Sequence, residues 1–298
     1  MNNITKVMKD RRSVRTFDGR ALSAEDIEKL SEFMRKIENP YEIPVEFKLL
    51  DAKRDGLSSP VIAGTEQYIG AKVKRMPHAE EAFGYSFEML VLYAQSLGIG
   101  TTWIGGTMDR AAFEHAMSLS SDEMMPCASP LGYPAAKMSL RETMMRKGVK
   151  ADTRFDFEEL FFDGDGHPLT AEEAGRLTRP LELTRLAPSA VNKQPWRVIV
   201  SGNDAHFYEK KTRGFVSEAT GDLQKVDVGI ALCHFALGAQ DAGLELHFSL
   251  NDPQLAAAAD LEYIATWSMP NAGTGATQTG SICSEQSRRD WKPHGTNS

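Results

Sequence analysis

The chain repeats itself, and any fold it adopts must accommodate two copies of one pattern. FDGRALSAEDIEKL (Phe17 to Leu30) returns as FFDGDGHPLTAEEAGRL (Phe161 to Leu177), with Leu22-Ser23-Ala24-Glu25 matching Leu169-Thr170-Ala171-Glu172 at an offset of 147 residues. A second pair, GYSFEMLVLYAQSLGI (Gly84 to Ile99) and GIALCHFALGAQDAGL (Gly229 to Leu244), aligns Gly84 with Gly229, Ala94 with Ala239, Gln95 with Gln240 and Gly98 with Gly243 at an offset of 145. Two segments recurring in order at nearly one spacing point to a duplicated unit of about 145 residues, the size of an ordinary domain. The expected organisation is a first half over residues 1–160 and a second half over 161–270. A disordered tail is expected over 271–298, where Gly, Ser, Thr and Asn crowd and no apolar period survives.

Composition excludes several classes of function. With 298 residues and 41% hydrophobic content the chain can bury a substantial core. The net charge of -7 gives no global basic field, so neither nucleic acid nor an anionic membrane is an expected partner. Cys127, Cys233 and Cys283 are odd in number and lack CxxC spacing. That argues against a disulfide framework or a zinc site, and for a reducing compartment. No signal peptide opens the chain and no uncharged apolar stretch reaches about 18 residues, so a soluble, cytoplasmic protein is expected.

Periodicity predicts a mixed architecture. Ile4, Val7 and Met8 mark a short amphipathic helix after Asn3, and Ser23 with Asp26 marks the N-cap of the next. VEFKLLD and EQYIGAKVKR read as strands, the latter tolerating Gly70 at a bend or a close approach, and a long helix is expected from about Ala82 to Leu97. In the second half, Thr170 and Glu173 repeat the cap, a helix is expected to break at Pro180, WRVIVSG and DAHFYEK form a hairpin, VDVGIALCHFALGAQDAG is helical, and LEYIATWSM closes as a strand. Strands mixed with helices of this length predict an α+β fold, mixed sheets flanked by helices, with two pseudo-repeats in one unit.

Three constellations could carry chemistry. Arg11, Arg12, Ser13 and Arg15 crowd guanidinium groups and a hydroxyl at the end of the first helix. Such donors match phosphate oxygens, though a surface ion-pair cluster would look the same. APSAVNKQPWRVIV (Ala187 to Val200) places Pro188, Ser189, Asn192 and Gln194 in a rigid polar loop ahead of a strand. Its carboxamides suit a planar heterocycle with imide-like edges, and its composition equally suits a plain turn. GIGTTWIGGT (Gly98 to Thr107) has Trp103 where a dinucleotide fingerprint would need glycine. Gly105 and Gly106 would let a ring lie against the backbone or simply make a tight turn.

Together these segments resemble the nitroreductase superfamily of FMN-dependent oxidoreductases, in its duplicated single-chain branch. RxSxR after a short first helix, PSxxNxQPW before a strand, the GIGTTWIGG turn, LGYP (Leu131 to Pro134) and Arg154 ahead of FDFEEL carry the resemblance, which covers most of residues 1–270. The first half keeps RxSxR but has IENPYEIPVEF where PSxxNxQPW belongs. The second half keeps PSAVNKQPW but sets Asp156, Phe157, Glu158, Glu159 and Leu160 over Arg11 to Arg15. An acidic pair repels a phosphate dianion, so one FMN site per chain is expected, in a monomer acting as a pseudo-dimer.

The resemblance implies roles. Arg11, Ser13 and Arg154 would bind the FMN phosphate and ribityl chain, with Arg12 lining the same pocket and Arg15 near the N1/O2 edge of the flavin. Asp152 stands where the family has a basic residue, so Lys150 or Arg146 would substitute. Pro188, Ser189 and Asn192 would cross from the second half onto the ring, Gln194 would support that loop, and Gly105 would offer its N–H beside N5 with Gly106 allowing the approach. No side chain is assigned as catalytic and no metal is expected; NAD(P)H would reduce the flavin and a nitroaromatic, quinone or similar small molecule would accept the electrons. A flavin-binding sensor or storage protein without turnover shares every one of these residues.

Overall fold

The structure is a computed structural model that describes residues 3–270. Asn3 caps the first helix, its Oδ1 accepting from Lys6 N at 3.0 Å, and α1 (Ile4–Asp10) buries Ile4 and Met8 one turn apart. The Ser23 hydroxyl accepts from Asp26 N at 3.0 Å and starts α2 (Ala24–Met34) as its sequence predicts. β1 (Val45–Asp51) leads through the one-turn α3 (Ala52–Asp55) to an antiparallel partner, β2 (Gln67–Lys74). A Cβ on Gly70 would stand 2.5 Å from Met117 Sδ, so this strand glycine permits a close approach. The long α4 (Ala79–Ser96) begins one turn earlier than its pattern implies. α5 (Arg110–Ala116) follows, and then β3 (Glu123–Met124) and β4 (Ala128–Leu131) both pair with β2 to complete a four-stranded antiparallel sheet. α6 (Leu140–Gly148), capped by Ser139, and the single turn α7 (Phe157–Leu160) end this half.

The second half builds a five-stranded sheet. β5 (Phe161–Asp163) runs parallel to β6 (Trp196–Ser201), and between them lies α8 (Thr178–Arg185). The helix does not break at Pro180. The interruption falls earlier, in turns and a 3-10 stretch over Gly175–Leu177, where Gly175 takes φ +54°. Pro180 sits in the first turn of α8, where a missing N–H leaves no intrahelical bond unmade. β6 turns at Gly202 (φ +60°) into β7 (Asp204–Glu209), and after the small hairpin of β8 (Val216–Ser217) and β9 (Gly221–Asp222) comes α9 (Leu223–Asp241). β10 (His247–Ser249) and β11 (Glu262–Ser268) finish the order β10-β11-β7-β6-β5. The expected disordered tail lies outside the described residues.

The two long helices, α4 and α9, are apolar on nearly every side and therefore pack against one another at the centre. A Cβ on Gly84 would lie 2.0 Å from Val226 O, and one on Gly229 would lie 2.1 Å from Glu81 O. Glycine is thus required at both crossings. The two contacts are reciprocal, since adding 145 turns Gly84 into Gly229 and Glu81 into Val226. One apolar cluster runs from Ile4 to Met269 through both halves. Among the described residues no helix is long and apolar enough to cross a membrane.

Candidate functional site

α1 ends at Arg11, where the backbone turns extended, and the chain then runs beside Thr101, with Val14 N donating to Thr101 O at 2.8 Å. Val14 is packed in the core, while the half-buried Ser13 and Arg15 flank it along the extended chain. Arg11 has a side chain only 6% exposed. Arg146 reaches in from α6, its Nη1 3.5 Å from Ser13 O, and pairs with Asp152. Arg154 follows on the segment after α6.

These guanidiniums disturb one another. Burial holds Arg11 below the usual arginine range, with Glu88 pulling it up and Arg146 pushing it down. Burial likewise lowers Arg15, offset by Glu142 and deepened by Arg146. Arg154 is pushed down to about 10, first by burial and then by the charge of Arg11, with Asp152 opposing and Arg185 and Arg146 adding. The Nε atoms of Arg11, Arg15 and Arg154 are buried without a hydrogen-bond partner. A buried donor left unpaired costs about 1–3 kcal/mol, more when charged, so the three Nε–H groups leave this basic cluster short of acceptors.

Arg12 Nη1 donates to Glu142 Oε1 at 2.9 Å, an ion pair that ties α6 to this segment. Ser139, which caps α6, also bonds Thr16 Oγ1, fixing the same helix to the same strand-like segment.

The loop after α8 crosses from the second half. Arg154 Nη1 donates to Asn192 Oδ1 at 3.3 Å, and Asn192 Nδ2 donates to Lys150 O at 2.8 Å and Thr153 O at 3.1 Å. Gln194 works inward: its Oε1 accepts from Phe155 N at 3.0 Å and its N donates to Ser189 Oγ at 2.9 Å. Its Nε2 donates to Asn192 O at 3.4 Å, so the side chain ties its own loop to the segment after α6. Pro188 and Ser189 are half-buried ahead of this turn, and Ala190 N donates to both carboxylate oxygens of Asp227 at 3.0 Å. Burial pushes Asp227 well above the ordinary carboxylate range. Val191, Asn192 and Gln194 have φ of +43°, +60° and +49°. Three non-glycine residues in the left-handed region within four positions store strain of about 1–3 kcal/mol each, of the kind that gathers at functional sites.

The glycine turn joins through a chain of polar contacts. Trp103 Nε1 donates to Glu88 Oε2 at 3.2 Å, and Glu88 Oε1 stands 4.0 Å from Arg11 Nε. Arg110 holds the turn from behind, donating to Gly105 O at 3.1 Å, Met125 O at 2.8 Å and Pro126 O at 3.3 Å. A Cβ on Gly106 would meet nothing within 4 Å, so that position opens onto free space, whereas one on Gly105 would press on Pro126 O at 3.3 Å.

The second-half counterpart of RxSxR is the start of α7. Asp156 N donates to Glu159 Oε2 at 2.9 Å, and Glu158 and Glu159 are exposed. Acidic groups at a helix start satisfy its free N–H groups and its dipole, which makes this a helix cap. Glu88, His234 and Arg110 carry no motif and are missed by sequence reading. Their signal is a lone polar residue in an apolar helix, visible at Glu88 and His234 only in hindsight of the packing.

Residues 3–239 match the family described as "Putative TM nitroreductase". A crystal structure described as a "putative nitroreductase" from Thermotoga maritima aligns with 21% identity over 90% of this chain and 93% of its own, with a TM-score of 0.58. Nitroreductase family proteins from Clostridium novyi (17% identity, 45% of this chain, 86% of theirs, TM-score 0.38) and Clostridium difficile (15%, 49%, 92%, 0.40) align over about half the chain. No curated protein sequence matches it. With the family match spanning most of its length and the α+β fold shared with the Thermotoga structure, the chain belongs to this nitroreductase family.

Proposed function

We propose that the chain is an FMN-dependent NAD(P)H oxidoreductase with one flavin site, composed of residues from both halves. The observation that carries the reading is the cluster of Arg11, Arg15 and Arg154 with three unpartnered buried Nε atoms. A phosphate monoester offers the acceptors and the charge that this cluster lacks. Arg146, which reaches Ser13 O and pairs with Asp152, or Lys150 would supply the basic group that Asp152 replaces.

The other residues divide by what they can still offer. The Ser13 hydroxyl lies on the extended segment between Arg11 and Arg15 and would face the ribityl chain. Pro188 and Ser189 would border the ring, while Asn192 and Gln194 hold their loop in its strained shape. Gly106 leaves room for a planar ring to approach the backbone, and the Gly105 carbonyl is turned toward Arg110. Bound FMN would supply the chemistry, taking a hydride from NAD(P)H and passing electrons to a nitroaromatic, quinone or similar acceptor. The chain's part is to bind and orient, and to place fixed positive charge where the reduced flavin is anionic.

Because one chain supplies both halves, a monomer suffices. Purified protein supplied with FMN should show flavin absorbance between 350 and 500 nm that survives desalting and bleaches on anaerobic addition of NADH or NADPH. Colourless protein whose melting temperature FMN does not raise would end the flavin reading. A retained flavin that neither nucleotide bleaches would support the storage or sensor role instead.

A further inference from the structure

We propose that His234, supplied by the second half, is a positioning residue for Arg11: it cancels the charge of Glu88, so that the Arg11 guanidinium stays free for the ligand's anionic group. The inference rests on the flavin reading and assigns to it two residues that no motif contains.

Glu88 on α4 and His234 on α9 are both wholly buried. His234 Nδ1 lies 2.9 Å from Leu183 O, and its Nε2 lies 3.0 Å from Glu88 Oε1. A carbonyl oxygen only accepts, so Nδ1 carries a hydrogen. The other carboxylate oxygen, Oε2, receives the Trp103 indole N–H, which only donates. If Nε2 and Oε1 both lacked a proton, two lone pairs would face each other at 3.0 Å in a site without water-like screening. One proton therefore lies on the line between them. With that proton on His234, the two form an imidazolium–carboxylate pair that has no net charge.

The consequence falls on Arg11. Its Nε is 4.0 Å from Glu88 Oε1, too far for a hydrogen bond, and it has no other partner. A bare Glu88 carboxylate would be a full counter-ion for this arginine and would compete with an incoming phosphate. Paired with His234, it anchors the Trp103 end of the glycine turn and holds Arg11 only loosely, at 4.0 Å, so that most of the arginine's charge is left for a ligand.

The sequence offset supports the assignment. Moving by 145 residues carries Arg11 to Asp156 and Glu88 to Cys233, and relates His234 to Met89. The equivalent arrangement in the other orientation would need an arginine at 156, an acid at 233 and a histidine at 89, and the chain has Asp156, Cys233 and Met89 there. The pair is thus tied to the one basic site and is not a general feature of the helix crossing.

Three variants test this by FMN titration, with folding followed by circular dichroism. His234→Gln keeps an N–H toward Glu88 but supplies no ionising proton, so Glu88 becomes a bare anion beside Arg11. FMN affinity should fall roughly tenfold or more, the scale expected of a unit charge at this range. In the His234→Gln/Glu88→Gln double variant the charge is gone again, and affinity should return to within about threefold of the parent. Glu88→Gln alone should bind FMN within about threefold of the parent, because the charge it removes is already cancelled. Parent-like binding by His234→Gln, or a double variant as weak as His234→Gln, would overturn the proposal, since a purely structural pair gains nothing from a second substitution. Should His234→Gln fail to fold, Glu88→Gln decides: a tenfold gain in affinity would mean that Glu88 opposes the ligand after all. If the parent protein binds no FMN, the flavin reading itself fails and takes this inference with it, whereas a parent that binds with indifferent variants removes only the inference.

Discussion

Arg154 Nη1 donates to Asn192 Oδ1 at 3.3 Å, and the bond joins residues from the two halves at the edge of the basic cluster. The Asn192 side-chain N–H groups in turn donate to Lys150 O and Thr153 O. The loop from the second half therefore fixes the segment on which Arg154 stands. Arg11→Ala and Asn192→Ala should each weaken FMN binding by about 10- to 100-fold, the worth of a charge-assisted hydrogen bond or of its positioning. Quenching of flavin fluorescence on titration measures both. Equal binding by either variant would separate the two halves functionally.

Val191 is 56% exposed yet holds φ +43°, a conformation in which a β-branched side chain is crowded. Little burial is lost by removing the side chain, and glycine adopts this φ freely. Val191→Gly should leave thermal stability unchanged or raise it by about 1 kcal/mol, the strain relieved outweighing the added freedom of the unfolded chain. A clear loss in urea or thermal unfolding would show that the strain is not there.

Gly84→Ala and Gly229→Ala oppose two effects of known size. Alanine favours a helix by about 1 kcal/mol over glycine. A Cβ 2.0 or 2.1 Å from a carbonyl oxygen of the facing helix is impossible without moving backbone, and overpacking of that kind costs about 1–3 kcal/mol or more. Both variants should be destabilised, and by similar amounts, because the contacts are reciprocal. Chemical denaturation of the two, side by side, checks the sign and the symmetry together.

Glu209, at the end of β7, is buried with neither carboxylate oxygen hydrogen-bonded, and burial raises it to about 7, helped by the nearby Asp222 charge. The folded chain then binds this proton more tightly than the unfolded chain does. Stability from this group is full below the ordinary glutamate range and is lost as pH rises to about 7, after which it is flat. Asp227 acts in the same direction. Glu209→Gln should flatten the fall in melting temperature between pH 5 and 7, and an unchanged slope would place its origin elsewhere.

Local chemistry was legible in the sequence and long-range pairing was not. The start of α1 after Asn3 and the Ser23 cap both follow from neighbours a few residues away. The Arg12–Glu142 pair is not legible locally, because the partner lies 130 residues on. Glu88 and His234 are 146 apart, and each stands among apolar neighbours that dominate the pattern. Pro180 reads as a breaker in the sequence, but its effect depends on whether it falls in the first turn, and the irregular stretch before Thr178 places it there.

Binding stoichiometry tests the central claim most directly. Protein stripped of flavin and titrated with FMN in a calorimeter should bind one FMN per chain. The same titration should lose its heat in Arg11→Ala, from the first half, and be strongly weakened in Asn192→Ala, from the second. No binding, two FMN per chain, or a response to only one of these substitutions would contradict a single flavin site composed across the halves.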